Sequence, residues 1–177
     1  MMRLDAFAED CRRLDPEAFA SRHGHAFLVL DGTEALLRRP DDAPHRTITL
    51  EAVKGDNRPL RPQLDFLVFP LRGKREGPLT FYSIGRSENN SVCIPDESIS
   101  IYHAFVMRSP DNRFFLQDAG SRNGTEVEGV AVPAQGRGKP VEIHTGARLR
   151  LGNLELTFLT ADWFCALVRG CTQEPLL

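Results

Sequence analysis

Gly85-Arg86-Ser87-Glu88-Asn89-Asn90-Ser91-Val92-Cys93-Ile94-Pro95-Asp96-Glu97-Ser98-Ile99-Ser100-Ile101-Tyr102-His103-Ala104 is the stretch on which the fold assignment turns. It leaves the apolar run Leu79–Ile84 and enters another, His103–Arg108, with a short run Ser91–Ile94 between them. Glycine, serine, asparagine and aspartate fill the gaps, so three β-type runs are joined by polar loops. The same texture continues outward on both sides. Leu64–Leu71 precedes it; Phe114–Gln117, Glu126–Val127, Val130–Val132, Ala147–Leu151 and Leu154–Leu159 follow. Gly152-Asn153 joins the last two, whose flanks alternate strictly, and this two-residue linker predicts a hairpin. Many short strands with turns at close intervals predict an all-β sandwich.

The polar residues at these junctions fall into three clusters. Gly85-Arg86-Ser87 ends one strand, Ile99-Ser100-Ile101-Tyr102-His103-Ala104 enters another, and Gly120-Ser121-Arg122-Asn123-Gly124-Thr125 links two more. In a sandwich such junctions gather at the ends of the sheets. Their side chains are guanidinium, hydroxyl and amide groups, joined by backbone N–H of glycine-relaxed turns. These are donors suited to an anion, and no general base stands beside a nucleophile.

The residues Gly85-Arg86-Ser87-x-x-Asn90-x-Val92-x-Ile94-Pro95-Asp96-x-x-Ile99-Ser100-x-x-His103-Ala104-x-Val106 resemble the signature of the forkhead-associated (FHA) family. So do Leu116-x-Asp118-x-Gly120-Ser121-Arg122-Asn123-Gly124-Thr125-x-Val127-x-Gly129 and the closing Gly146-Ala147-Arg148-Leu149-Arg150-Leu151-Gly152. The resemblance runs from about Leu64 to Thr160, a little over half the chain. It implies an antiparallel sandwich whose loops bind phosphothreonine. By the same resemblance Arg86 and Ser100 hold the phosphate, Arg122 reaches phosphate or peptide, and Asn123 bonds the ligand backbone. His103 braces the loops, and Gly85 and Gly124 permit tight turns. After the serine the family commonly has a polar residue that touches the peptide; here Ile101 stands there, followed by Tyr102, so this position grips weakly or packs instead.

The flanks carry no such resemblance. Residues 1 to about 22 read as helical, with Asp15-Pro16-Glu17 as a cap signal and Gly24 as a stop. Ala26–Leu30 reads as a short buried strand, and Thr47–Val53 alternates as a strand with one wet face. Arg38–His45 and Lys54–Pro62 read as loop and boundary. The division is residues 1–62 as an N-terminal α/β extension, 63–160 as the FHA-type sandwich, and 161–177 as a C-terminal helix and tail. Trp163, Phe164, Leu167 and Val168 share one face of that helix, which ends near Gly170. If the two flanks pack together the chain is one enlarged domain; if they stay exposed they mark a partner or oligomer surface.

Composition bounds the function. The 177 residues carry a formal charge of −2, so no general positive field exists to hold a nucleic acid. Only Lys54, Lys74 and Lys139 are lysines; the remaining positive charge is arginine, as a GC-rich bacterial genome would give. Cys11, Cys93, Cys165 and Cys171 form no CxxC pair, and no signal-like segment stands in the sequence, which together predict free thiols in a reducing cytoplasm. His23 and His25 read as surface or helix-end residues rather than metal ligands, and His45 and His144 as solvent-facing. Gly73-Lys74-Arg75 lacks the spacing of a phosphate-binding loop and reads as a charged turn. No motif of a hydrolase or metalloenzyme occurs.

The sequence thus predicts a non-enzymatic adaptor, needing no cofactor or metal, that docks a threonine-phosphorylated protein made by a Ser/Thr protein kinase. Two other readings stay open. A phospho-independent assembly module would be marked by an apolar patch at Ile101 and Tyr102. An enzyme would need its site in residues 1–62.

Overall fold

The structure, a computed structural model, describes residues 2–31, 66–73 and 79–172. The predicted strand Thr47–Val53, the loops at 38–45 and 54–62, His45, the 62/63 boundary and Lys74-Arg75 lie outside them. In chain order the elements are β1 (Met2–Arg3), a 3-10 turn (Leu4–Phe7), α1 (Ala8–Arg13), α2 (Pro16–His23) and β2 (Ala26–Asp31). Then come β3 (Phe66–Pro70), β4 (Thr80–Gly85), β5 (Val92–Cys93), β6 (Ala104–Arg108) and β7 (Phe114–Asp118). The chain continues with β8 (Thr125–Val127), β9 (Val130–Ala131), β10 (Val141–Ile143), β11 (Arg148–Leu151), β12 (Leu154–Thr160) and α3 (Ala161–Thr172).

Among the described residues the strands form two sheets, a seven-stranded one ordered β1-β3-β2-β12-β11-β8-β9 and a five-stranded one ordered β10-β7-β6-β4-β5. The pairings are antiparallel except β4 with β5. This is the expected mainly-β sandwich. The Gly152-Asn153 hairpin forms with Leu151 opposite Leu154. Its Gly152 has φ 58°, and a Cβ there would stand 2.5 Å from the Ser98 carbonyl oxygen, so two constraints select glycine.

Two apolar layers flank the seven-stranded sheet, and strand alternation sorts residues between them. Ala26, Leu28 and Leu30 of β2, with Leu67 and Phe69 of β3 and Phe158 of β12, point into the core shared with the five-stranded sheet. Phe27, Val29, Val68 and Leu159 point the other way, onto Phe7, Cys11, Phe19, Phe164 and Val168 of the helices. Ala26–Leu30 therefore reads as an unbroken apolar run because both its faces are covered. Phe27 and Phe164 stack at 4.1 Å between ring centroids.

Several local expectations change. The N-terminal helical stretch is split: a short strand and a 3-10 turn come first, and Leu14-Asp15 separates α1 from α2. Asp15 caps α2 by accepting from the Ala18 N–H at 2.9 Å. α3 runs through Gly170 to Thr172, so that glycine does not stop it. Phe164 and Val168 are buried, while Trp163 is 52% exposed, so the expected stripe is only partly the packed face. His23 is not a surface residue: it is buried between the rings of Phe7 and Phe19, with Nε2 2.6 Å from the Asp10 carboxylate. β10 went unread because three residues behind Pro140 give too short a pattern.

Candidate functional site

β4, β6, β7, β8, β11 and β12 all start or finish at one end of the sandwich, and the three polar clusters occupy the loops there. The first two are stitched by backbone. The Arg86 N–H donates to the Ser100 carbonyl at 2.9 Å, and the Ser87 N–H to the Ile101 carbonyl at 3.4 Å. The Asn90 side-chain amide donates to the Ser87 and Ile101 carbonyls at 2.9 and 2.8 Å. Gly85 lies directly under this junction: a Cβ would stand 2.3 Å from the Ile101 oxygen and 2.7 Å from Asn90 Nδ2. The backbone of Gly85 is not left-handed, so close approach rather than a tight turn requires glycine. Gly124, at φ 79°, does sit in the left-handed region, and there the turn itself is the reason.

The third cluster joins through side chains. The Ser100 hydroxyl accepts from the Arg122 N–H at 3.1 Å, and the Arg122 guanidinium donates to the Glu97 carbonyl at 3.3 Å. Asn123 Nδ2 donates to the Ser98 carbonyl at 2.8 Å, which leaves its amide oxygen without a partner among the described residues. Arg86 and Ser100 thus share a backbone bond, and Ser100 and Arg122 a side-chain bond. Among the described residues neither guanidinium pairs with a carboxylate, and that of Arg86 has no hydrogen-bond partner. Elsewhere Arg113, Arg148 and Arg150 pair with Glu142, Glu128 and Glu126.

His103 sits behind these loops, fully buried. Its Nδ1 accepts from the Ser100 N–H at 3.0 Å, so the ring proton is on Nε2, which donates to the Gly124 carbonyl at 3.1 Å. The His103 backbone continues the bracing, donating to the Ile84 carbonyl and accepting from the Ala119 N–H. Burial lowers its pKa below the ordinary value, against the pull of the Gly124 carbonyl and the Asp118 charge, so the ring is neutral in the fold. A neutral ring that already spends both nitrogens does no acid–base work.

Two further residues build the site, and the sequence reading gave neither a role. The Asp118 carboxylate accepts from the N–H of Gly120 and Ser121 and from the hydroxyls of Ser121 and Thr125, at 2.6–2.9 Å. Burial alone would raise its pKa, but these bonds outweigh that and hold it below the usual value. Ser98 donates its hydroxyl to Asp96 at 2.5 Å and accepts from the Asn153 N–H at 3.0 Å, tying the second loop to the hairpin. An aspartate two residues before Gly-Ser, and a serine two residues after an aspartate, are local turn signals that could have marked both.

Ile101 contributes backbone, not side chain, to this frame: its carbonyl takes the bonds from Ser87 and Asn90, while the side chain is 65% exposed. Tyr102, 48% exposed, stacks on Phe105 at 6.5 Å, and Phe105 meets the half-exposed Phe81 at 6.2 Å. An aromatic row therefore runs from the loops onto the outer face of the five-stranded sheet. Among the described residues no cluster of three His, Cys, Asp or Glu side chains could hold a metal, and no helix is long and apolar enough to cross a membrane.

The class these features define is a β-sandwich with arginine, hydroxyl and amide side chains gathered in the loops at one end. Residues 82–152 match the family model of the FHA domain. No curated protein matches the sequence. Among solved structures, the FHA domain of the Chlamydia trachomatis CT664 protein is 18% identical, covering 76% of this chain and 96% of that one at TM-score 0.47. The N-terminal FHA domain of S. cerevisiae Rad53p, solved with a phosphothreonine peptide, is 18% identical over 57% and 90%, TM-score 0.46. Mycobacterium tuberculosis EmbR, solved with a low-affinity phosphopeptide, is 22% identical over 45% of this chain and only 20% of its own length, TM-score 0.40.

Proposed function

We propose that the protein reads phosphothreonine through Arg86, Ser100 and Arg122, with Asn123 on the ligand backbone, as an adaptor in Ser/Thr kinase signalling. The observation that carries this is that the backbones of Arg86 and Arg122 both bond Ser100, one at its carbonyl and one at its hydroxyl, while neither guanidinium is ion-paired among the described residues. A phosphothreonine brings about −1.5 to −2 charges and three acceptor oxygens. Arg86 supplies a fork of donors and Ser100 a short hydroxyl bond that fixes the phosphate laterally. Charge-assisted bonds contribute about 1.5–3 kcal/mol each, so two or three support micromolar binding of a short peptide. No turnover is involved: the loop frame is set by its own hydrogen bonds before the ligand arrives. The partner is a threonine-phosphorylated protein, and the setting a bacterial cytoplasm.

A second reading is favoured by the exposed row Ile101, Tyr102 and Phe81, which would let the module bind a partner without phosphate. Fluorescence anisotropy separates the two. Phosphothreonine, phosphoserine and unphosphorylated peptide pools are titrated with the wild-type protein and with Arg86→Ala. Binding that needs both phosphothreonine and Arg86 supports the reader. Binding indifferent to phosphate, or an Arg86→Ala protein as tight as wild type, removes it in favour of the apolar row.

A further inference from the structure

Cys11 lies on α1 and Cys165 on α3, 154 residues apart in sequence, yet their sulfur atoms stand 2.8 Å apart. Both are free thiols buried in the helical layer outside the seven-stranded sheet. They share one apolar cluster with Phe7, Phe19, Phe27 and Phe164, and Arg169 of α3 donates from Nε to the Cys11 carbonyl at 2.7 Å. We propose that Cys11 and Cys165 are an oxidation site, a dithiol that closes to a disulfide and locks the first helix of the chain to the last. The oxidant class is a peroxide or a small-molecule disulfide.

The chemistry is favoured by the surroundings. The contact with Cys11 lowers the Cys165 pKa, burial opposes this, and the Arg169 charge lowers it further, so Cys165 is the readier of the two to give up its proton. With hydrogen peroxide, the Cys165 thiolate attacks one oxygen, the O–O bond breaks, and the departing hydroxide takes up a proton as water. Cys165 is then a sulfenic acid. The Cys11 sulfur attacks the Cys165 sulfur, the S–OH bond breaks, and the hydroxide leaves with the Cys11 proton as a second water. Two electrons pass from the sulfurs to the peroxide: two thiols and one peroxide give one disulfide and two waters. The sulfurs must close to about 2.05 Å, a shift within side-chain reach.

The dithiol sits away from the phosphate-binding loops. β12 starts at the Gly152-Asn153 hairpin beside Ser98 and hands over to α3 at its other end. Oxidation is therefore expected to change stability and to leave phosphopeptide affinity as it is. A cross-link over so long a loop restricts the unfolded chain strongly and raises the melting temperature by roughly 5–15 °C.

The test uses the full chain, reduced with dithiothreitol and then treated with hydrogen peroxide. Remaining thiols are alkylated, and non-reducing peptide mapping by mass spectrometry follows. The expected result is a linked peptide pair containing Cys11 and Cys165, lighter by two hydrogens. It comes with a raised melting temperature that dithiothreitol reverses. Cys11→Ser and Cys165→Ala should each abolish both signals. Mapping of the wild-type protein decides the matter even where a variant fails to fold. Alkylation of both cysteines after peroxide, a cross-link through Cys93 or Cys171 instead, or a linked pair without any melting shift would each overturn the proposal.

Discussion

The loop end of the sandwich and its helical flank are held by opposite means. At the loops, bonds at 2.6–3.1 Å between named polar atoms set the shape, as in the sequence Ser100–His103–Gly124 and the four donors on Asp118. On the flank, three phenylalanine rings and two cysteines pack against Phe27, Val29, Val68 and Leu159, with Asp15 capping α2 and the Asp10–His23 contact at the edge. Directional bonds to fixed partners keep donors where a ligand needs them, at little net gain in stability, because each replaces a bond to water. Apolar packing gives stability but little positional specificity. On the proposed function, binding and stability fall to different parts of the molecule, and substitutions should separate them.

The largest effect is expected on the flank. Phe164→Ala removes a fully buried ring that stacks on Phe27 and should cost about 3–5 kcal/mol of stability, read by urea unfolding. Phosphopeptide affinity, measured well below the unfolding midpoint, should be unchanged; a parallel loss of affinity would break the division. Arg86→Ala is the converse. Its guanidinium braces nothing among the described residues, so binding should weaken by about 2–5 kcal/mol while the melting temperature stays put. Gly85→Ala should cross the divide. Its Cβ would strike the Ile101 carbonyl, so stability falls by about 1–3 kcal/mol and affinity falls with it. A Gly85→Ala protein with wild-type affinity would show that the Ile101 junction does not set the donors.

The smallest effect is on pH dependence. Burial holds the His103 pKa below its ordinary value of 6.5, so the unfolded chain takes up this proton at a higher pH than the folded one does. The stabilisation is complete above that value and is lost as pH falls through the folded one. Asp118, also lowered, acts in the same sense from 3.8 downward. Unfolding free energy should therefore slope down as pH falls through 6.5, and His103→Gln should flatten that slope while lowering stability at neutral pH. An equal slope in wild type and variant would remove His103 from the bracing. Protonation of the phosphate itself, near pH 6, weakens binding in both proteins and so does not confuse the comparison.

Much of this organisation is written locally. Gly-Arg-Ser after an alternating run, Ser-x-x-His entering the next, and Gly-Ser-Arg-Asn-Gly between two more carry the sandwich and its donors, because turn chemistry and period-two alternation act within a few residues. Asp15-Pro16 fixed the start of α2 for the same reason. What these patterns do not contain is which atoms meet across loops. That Gly85 answers to the Ile101 carbonyl, that Ser98 ties Asn123 to the hairpin, and that Ile101 serves through its backbone all depend on contacts 11 to 55 residues apart. Cys11 and Cys165 carry no spacing signal at all. They meet because β2, β3 and β12 each present a second apolar face, and burying that face brings the two ends of the chain together; alternation along one strand shows that a face is apolar, and only packing decides what covers it.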